Sequence, residues 1–272
     1  MKFSVLMSIY YKEKAEYFNR AMRSIWDEQS VKPNEIILVE DGSLTDELSQ
    51  AIDEWKKKIG NTFKTISLKD NVGLGSALNE GIKHCNYELI ARMDTDDISL
   101  QKRFEKQLKA FEEKDIDVCS AFISEFEDDE NEIVSYRKLP EKHEDIVKYS
   151  KMRSPLNHAV TMFKKSIVEQ SGGYKHMLWM EDYYLWVRMI NNGAKLYNLQ
   201  ETLLNVRAGN SMLVRRGGME YIKAEVIFLN KLKEMHYLTI TEYLKNILIK
   251  VPIRLLPKNI LKYVYVLIRK KS

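Results

Sequence analysis

The sequence predicts an α/β fold: a mainly parallel, Rossmann-like central sheet flanked by helices, followed by a helical C-terminal extension. Two features of its 272 residues carry that prediction. Through the first half, short apolar runs alternate with segments of helical period, and this alternation implies parallel strands with crossover helices on the sheet faces. Toward the end the pattern turns helical and then basic. Residues 1–215 read as one α/β domain and residues 216–272 as a helical extension.

Taken in order, Phe3–Ile9 reads as a buried strand. It is too short for a signal peptide, is followed at once by Lys12-Glu13-Lys14, and has no small-residue cleavage site after it. Tyr17–Glu28 reads as a helix with Phe18, Met22, Ile25 and Trp26 on one face. Glu35–Val39 is a second strand. Thr45–Lys58 is a helix with Thr45 or Ser43 as its N-cap. Thr62–Leu68, Tyr87–Met93 and Asp117–Glu125 are further strands, separated by helices over Gly75–Cys85 and Leu100–Lys114. The second half is less regular. Ala159–Phe163 and Lys195–Leu199 read as strands, and Glu181–Asn192 and Gly217–Met235 as helices. The first of these helices turns Tyr184, Leu185, Val187 and Met189 toward the core. The acidic run Glu125–Glu132 reads as a solvated turn between strands.

Composition narrows the function. With 44% hydrophobic and 30% charged residues the chain is ordinary globular material. Cys85 and Cys119 form no C-x-x-C and no zinc spacing, so both read as reduced, buried thiols of a cytosolic protein. No apolar run is long enough to span a bilayer. The net charge of +4 conceals an asymmetry: residues 243–272 hold eight Lys/Arg and no acid, and the rest is mildly acidic. The basic pI is therefore no nucleic-acid footprint, and no nucleic-acid partner is expected.

In open α/β sheets ligands bind at the carboxyl ends of the strands. That rule selects Tyr10–Lys14, Glu40–Leu44 and Asp94–Ser99. In Arg92-Met93-Asp94-Thr95-Asp96-Asp97, closely spaced carboxylates raise one another's pKa, and a divalent cation is the natural neutraliser. Carboxylate oxygens suit Mg²⁺ or Mn²⁺ shared with substrate phosphates. A polar turn with Asp97 capping the helix near Leu100 is the plainer alternative, and such a cap does not exclude the metal. Asp41, in Glu40-Asp41-Gly42-Ser43, can accept from a nucleobase or ribose. Asn71-Val72-Gly73-Leu74-Gly75-Ser76, followed by Asn79 and Gly81, is either a phosphate cradle or a tight strand-to-helix turn. Glu181 and Asp182 open a helix among aromatics, where they serve the helix dipole or provide a general base in an aromatic-walled cleft. Gly172-Gly173-Tyr174 upstream suggests a mobile loop. His158 is a core histidine or a site residue, and the other histidines read as surface groups.

The ordered set Ser4-Val5-Leu6-Met7-Ser8-Ile9-Tyr10, Glu40-Asp41-Gly42-Ser43, Asn71-x-Gly73-Leu74, Asp94-x-Asp96-Asp97 and Glu181-Asp182 resembles family 2 glycosyltransferases of the GT-A fold. Arg92–Ser99 and Val206–Met212, with Arg215-Arg216-Gly217-Gly218, resemble the bacterial capsular and exopolysaccharide transferases of the amylovoran type. The resemblance implies inverting, metal-dependent transfer from a nucleotide-diphosphate sugar, uridine-linked in most members, to a glycan or polyprenyl-diphosphate-linked glycan. It implies that Ser8, Tyr10 and Asp41 hold the nucleoside, with Asn79 on the donor side. Asp94 and Asp96 would form the D-x-D, with Asp96 on Mn²⁺ or Mg²⁺ and Asp94 on the metal or ribose. Asp182 would be the catalytic base with Glu181 beside it, and His158 would lie near the sugar or diphosphate. Arg207, with Arg215 and Arg216, would serve the diphosphate or lipid phosphates. Tyr11 stands where the family usually has Asn, and no Q-x-x-R-W of a processive synthase occurs.

From Asn246 onward the chain reads as amphipathic helix around Pro252 and Pro257. Ile260, Val264 and Leu267 fall on one face, Arg254, Lys258 and Lys262 on a basic row, and Tyr263 and Tyr265 at the boundary. This pattern suits an anionic membrane surface on the inner face of the cytoplasmic membrane. A helix packed on the body with a solvated basic side is the alternative. The competing functions are a sugar nucleotidyltransferase, which would carry a Gly-rich basic loop after the first strand, and a non-catalytic nucleotide-sugar-binding module.

Overall fold

A computed structural model describes residues 1–208 and 217–256. Its elements are β1 (Phe3–Ile9), α1 (Ala15–Trp26), β2 (Glu35–Glu40), α2 (Asp46–Ile59), β3 (Phe63–Ser67), α3 (Leu74–His84), β4 (Leu89–Arg92), β5 (Ile98–Ser99) and α4 (Arg103–Glu113). They continue with β6 (Val118–Phe126), β7 (Ile133–Arg137), α5 (His143–Ser150), β8 (Met162–Lys164), α6 (Lys165–Gln170), α7 (Glu181–Asn191) and β9 (Leu196–Arg207). A C-terminal helical hairpin follows, α8 (Met219–Glu234) and α9 (Ile240–Arg254).

The sheet order is β3-β2-β1-β4-β8-β6-β9-β5, with β7 beside β6. β1 pairs in parallel with β2 on one side and β4 on the other. β8 is antiparallel to both β4 and β6. The parallel part of the sheet is covered on both faces, which is why β1 reads as an unbroken apolar run. Phe3, Val5, Met7 and Ile9 of β1 join the core with Phe18, Ile52 and Phe104, whereas Leu6 points the other way, among Leu78, Ile82 and Trp186. α3 lies so close to the sheet that a Cβ on Gly81 would fall against Leu6 and within 2.8 Å of Val39 Cγ2.

Local signals explain several boundaries. Thr45 caps α2, its hydroxyl accepting from Leu48 N–H at 3.3 Å. Elsewhere long-range pairing decides. The segment expected as a strand over Ala159–Phe163 is a 3₁₀ turn at His158–Val160 followed by the short β8. β9 runs on through the polar Gln200-Glu201-Thr202 to Arg207, because irregular pairing with β6 near Phe122 lets those residues face outward. Asp97 does not cap α4. Its Oδ1 accepts from Arg207 N–H at 3.0 Å, and α4 begins after Lys102 with no side-chain cap.

The hairpin is fastened to the body. Tyr221, Phe228, Leu229, Leu232, Tyr237 and Leu238 share a core with Met177, Met180, Tyr183, Tyr184 and Val187. A full capping box, Thr239 with Glu242, starts α9. Arg254 does not stand on a lipid-facing row: with Lys250 it turns inward to Glu225, at 2.9 and 3.2 Å. The physical reason is the buried Glu225 carboxylate of α8, which needs a cation on the facing helix. The remaining tail, residues 257–272 with Lys258, Lys262, Ile260, Tyr263, Val264, Tyr265 and Leu267, lies outside the described residues, as do Arg215 and Arg216. Among the described residues no helix is long and apolar enough to cross a membrane.

Candidate functional site

The chain runs from β1 outward through β2 to β3, then returns to place β4 on the other side of β1. This reversal makes the carboxyl ends of β1, β2 and β4 the switch point, the position where open α/β sheets take ligands. Tyr10 and Glu13 follow β1, Asp41 follows β2, and Asp94 and Asp96 follow β4. Ser8 lies near the end of β1, paired with Val39, and is half-buried with Tyr10.

Asp41 is buried and organises the loop before α3. Its two carboxylate oxygens accept from Val72 N–H at 2.7 Å and Gly73 N–H at 3.1 Å. Asn71 Nδ2 donates to Asp41 O at 3.1 Å. Gly42 is required beside it, because at φ +85° a Cβ would lie 2.9 Å from Asn71 N. The amides of the Gly-rich segment are thus engaged by Asp41, as in a tight strand-to-helix turn.

The D-x-D strip is acidic and partly buried. Burial, then the neighbouring Asp94, raises Asp96 to about 6. Burial and the charges of Asp96 and Asp94 raise Glu13 to about 7. Burial pushes Asp97 well above its usual range, with Asp94 and Asp96 adding to it. Buried Arg92 ion-pairs with Asp94, and Arg103 donates to the Arg92 carbonyl from beneath. Among the described residues no three carboxylate, His or Cys side chains converge as a closed metal cage. An open pair fits Mg²⁺ or Mn²⁺, which are ordinarily held by one or two carboxylates together with substrate phosphates and water. The mutual repulsion of these carboxylates is what such a cation would relieve.

A second group faces this strip. His158 is half-buried, and its Nε2 lies 2.8 Å from Tyr174 Oη. Burial holds the imidazole well below its ordinary pKa, and Arg92 adds to the effect. Burial likewise raises Tyr174, whose hydroxyl also feels Arg92, Asp182, Asp94 and Glu181. Tyr174 therefore sits electrostatically between the D-x-D strip and the start of α7. The Gly172–Tyr174 segment, expected to be mobile, is tied down. Asn79 accepts from Tyr174 N–H at 2.7 Å and donates to Tyr174 O at 2.8 Å, and Arg188 donates to Ser171 O and Gly173 O.

Glu181 and Asp182 are both half-buried at the N-terminus of α7. They differ in their surroundings. Glu181 accepts from the Gly75 amide at the start of α3 and lies 3.6 Å from His176 Nδ1. Burial raises its pKa. Asp182 acts on the buried Tyr174 and Tyr183 hydroxyls. Arg207, by contrast, lies over the rings of Tyr17 (3.9 Å) and Phe126 (4.6 Å) and donates to Glu127 O at 3.3 Å. Its main-chain N–H holds Asp97.

Asp94, Glu181 and Asp182 thus all act on the Tyr174 hydroxyl that bonds His158, Asp96 lies beside Asp94, and Asp41 and Asn79 fix the adjoining loops. Sequence reasoning overlooked Glu13 and gave Tyr174 no role. Glu13 had a usable signal, an acid in the loop after β1. Tyr174 had none, since its importance comes from contacts with Asn79 and His158, distant in the chain.

Comparison with known proteins identifies the family and the fold. Residues 4–171 match the profile of glycosyl transferase family 2. The UDP-Gal:alpha-D-GlcNAc-diphosphoundecaprenol beta-1,3-galactosyltransferase of Escherichia coli is 36% identical over 265 residues, covering 97% of this chain and 95% of that protein. The amylovoran biosynthesis glycosyltransferase AmsE of Erwinia amylovora is 37% identical over 267 residues, covering 97% of each. Among solved structures, the mannosyltransferase PcManGT from Pyrobaculum calidifontis, in complex with GDP-Man and Mn²⁺, superposes with a TM-score of 0.64 at 14% identity, covering 98% of this chain and 80% of that one. The fold is GT-A. With the motifs in order, the family profile matched over residues 4–171 and relatives aligned over nearly their whole length, the chain belongs to glycosyl transferase family 2.

Proposed function

We propose that the chain is an inverting, metal-dependent glycosyltransferase. It moves a sugar from a nucleotide-diphosphate sugar, UDP-linked, to the terminal sugar of a polyprenyl-diphosphate-linked glycan in surface polysaccharide assembly. The observation that carries this is that Asp94 of the acidic strip and Asp182 of α7 both act on the buried Tyr174 hydroxyl, which bonds His158. The relative that acts on a diphosphoundecaprenol-linked sugar, aligned over nearly its whole length, supports the acceptor class.

Asp96 and Asp94 would hold Mn²⁺ or Mg²⁺, which supplies charge neutralisation for the departing diphosphate. Arg92 fixes the Asp94 carboxylate. Asp41 keeps lone pairs beyond the two used by Val72 and Gly73, and these accept from the nucleobase while Ser8 and Tyr10 line its slot. Asp182 takes the proton of the acceptor hydroxyl as its oxygen bonds to the anomeric carbon. The bond from that carbon to the diphosphate breaks on the opposite face, and the nucleoside diphosphate leaves. General-base assistance of this kind contributes about 10²–10⁴-fold. Glu181, tied to the Gly75 amide, positions the start of α7 against α3. Asn79 positions Tyr174. Arg207 braces Asp97 and the turn after β6.

The protein works at the inner face of the cytoplasmic membrane. The basic, acid-free sequence of residues 257–272 and the exposed Ile240, Leu244 and Leu248, four residues apart on α9, support contact with an anionic surface. The hairpin shares a hydrophobic core with α7, which supports reading it together with the transferase body. The test is transfer from labelled UDP-sugars to a synthetic GlcNAc-α-diphosphate bearing a short alkyl chain. Product that requires Mn²⁺ and is lost in Asp182→Asn is expected. Transfer by Asp182→Asn at the unaltered rate would remove the base assignment.

A further inference from the structure

Two described residues other than glycine have positive φ, Trp179 at +62° and His236 at +57°. His236 closes the C-terminus of α8, where its neighbours Tyr237 and Leu238 bond back to Leu232, so its geometry has a local cause. Trp179 has none. It is the third residue of the Met177–Met180 turn, closed by Met180 N–H to Met177 O at 2.7 Å. That position of a turn with φ > 0 belongs to Gly or Asn, and a bulky side chain there is strained.

The indole is held firmly and left partly open. It stacks on the Tyr221 ring at 5.2 Å between centroids and 16° between planes. Tyr221 is itself fixed by the Arg254 guanidinium, 4.5 Å from its ring centroid. Tyr221 covers one face of Trp179, yet 43% of the residue remains exposed. Trp179 stands two residues before Glu181 and three before Asp182. Across from it, Leu74 adjoins Gly75, the glycine that Glu181 touches, and is exposed, as are Val72 and Leu178. Exposed apolar side chains thus flank Glu181 on both sides.

We propose that Trp179 is the acceptor platform: its open face stacks on the apolar C–H face of the acceptor's terminal pyranose and presents the nucleophilic hydroxyl to Asp182. This rests on the proposed function above. An aromatic plane held by a second ring offers contact area with little rotamer freedom to lose. The donor occupies the strand ends near Asp41 and Asp94, so a ring at the start of α7 belongs to the other reactant.

The test compares the full chain with Trp179→Gly and Trp179→Phe. Glycine suits φ +62°, so Trp179→Gly removes the ring without forcing the turn, and the relieved strain offsets part of the stacking lost on Tyr221, leaving the variant folded at assay temperature. The KM for the GlcNAc-α-diphosphate alkyl probe should rise about ten-fold or more, with Trp179→Phe recovering most of it. Metal-dependent hydrolysis of UDP-sugar, the donor KM and UDP binding should stay unchanged. Saturation-transfer NMR of the probe alone should lose the pyranose C–H signals in Trp179→Gly. A probe KM within two-fold of the unaltered protein, or unchanged saturation transfer, overturns the proposal. So does equal loss of donor hydrolysis, which would make the ring a structural support. Because probe binding is read without donor, failure of the platform is distinguishable from failure of the transferase reading, which would appear as absent UDP-sugar turnover in the unaltered chain.

Discussion

Replacing Glu225 by Gln tests how the C-terminal hairpin is held. Glu225 is 5% exposed, and its partners Lys250 and Arg254 are 13% and 12% exposed. Glu225 is buried and its partners are largely covered, so the figure of about 0–1 kcal/mol for surface pairs does not apply. Removing one member of a buried ionic cluster costs about 3–5 kcal/mol, because the surviving charges stay buried without a partner. At about 2 °C per kcal/mol for a chain of this size, Tm should fall by about 6–10 °C. Burial already draws the Lys250 pKa below its ordinary value, and Glu225 opposes that. In Glu225→Gln the folded-state pKa drops further. The unfolded chain then binds more protons over the interval between the two pKa values, so the destabilisation deepens as pH falls from about 10.4 toward the new folded pKa and levels off below it. The triple variant Glu225→Leu, Lys250→Met, Arg254→Met should recover most of the loss, since apolar residues of similar volume replace such clusters at little cost. Differential scanning calorimetry between pH 7 and 9 measures both effects. A Tm change under 1 °C in Glu225→Gln would refute the buried cluster.

The remaining predictions concern the site and its walls. Glu181→Gln should keep transfer within about ten-fold, because a neutral amide oxygen can still accept from Gly75, whereas Asp182→Asn should lose about 10²–10⁴-fold in kcat; steady-state kinetics separates them. Gly81→Ala should cost about 1–3 kcal/mol by overpacking α3 against Leu6 and Val39, read by urea unfolding. His158 is held neutral in the fold, with its pKa well below the ordinary value. The unfolded chain protonates that imidazole first, so stability should fall as pH drops below about 6.5, by up to about 1.4 kcal/mol per pH unit. His158→Gln should flatten that slope.

The parallel half of the sheet was legible because each strand is a short apolar run bounded by helical period, and Thr45 was legible as a cap because capping is local. The antiparallel half was not. β5 is two residues long and exists only through Leu204 and Asn205 of β9. β7 shows no apolar run, its Val134 and Tyr136 being exposed. The same contrast holds in the site. Asp94, Asp96 and Asp182 announce themselves by spacing and position. Nothing local distinguishes Asp97, whose partner Arg207 is far along the chain, or Arg254, whose basic periodicity points to lipid while Glu225 draws it inward. Asn79 is informative only once Tyr174 is seen folded against it.

Calorimetric titration of UDP into the full chain, with Mn²⁺ and again with EDTA, tests the central claim most directly. Saturable binding that requires Mn²⁺, disappears in Asp96→Ala and persists in Asp182→Asn is the predicted result. UDP binding of equal strength in EDTA, or undiminished in Asp96→Ala, would contradict the assignment of the acidic strip to a metal-bound nucleotide diphosphate.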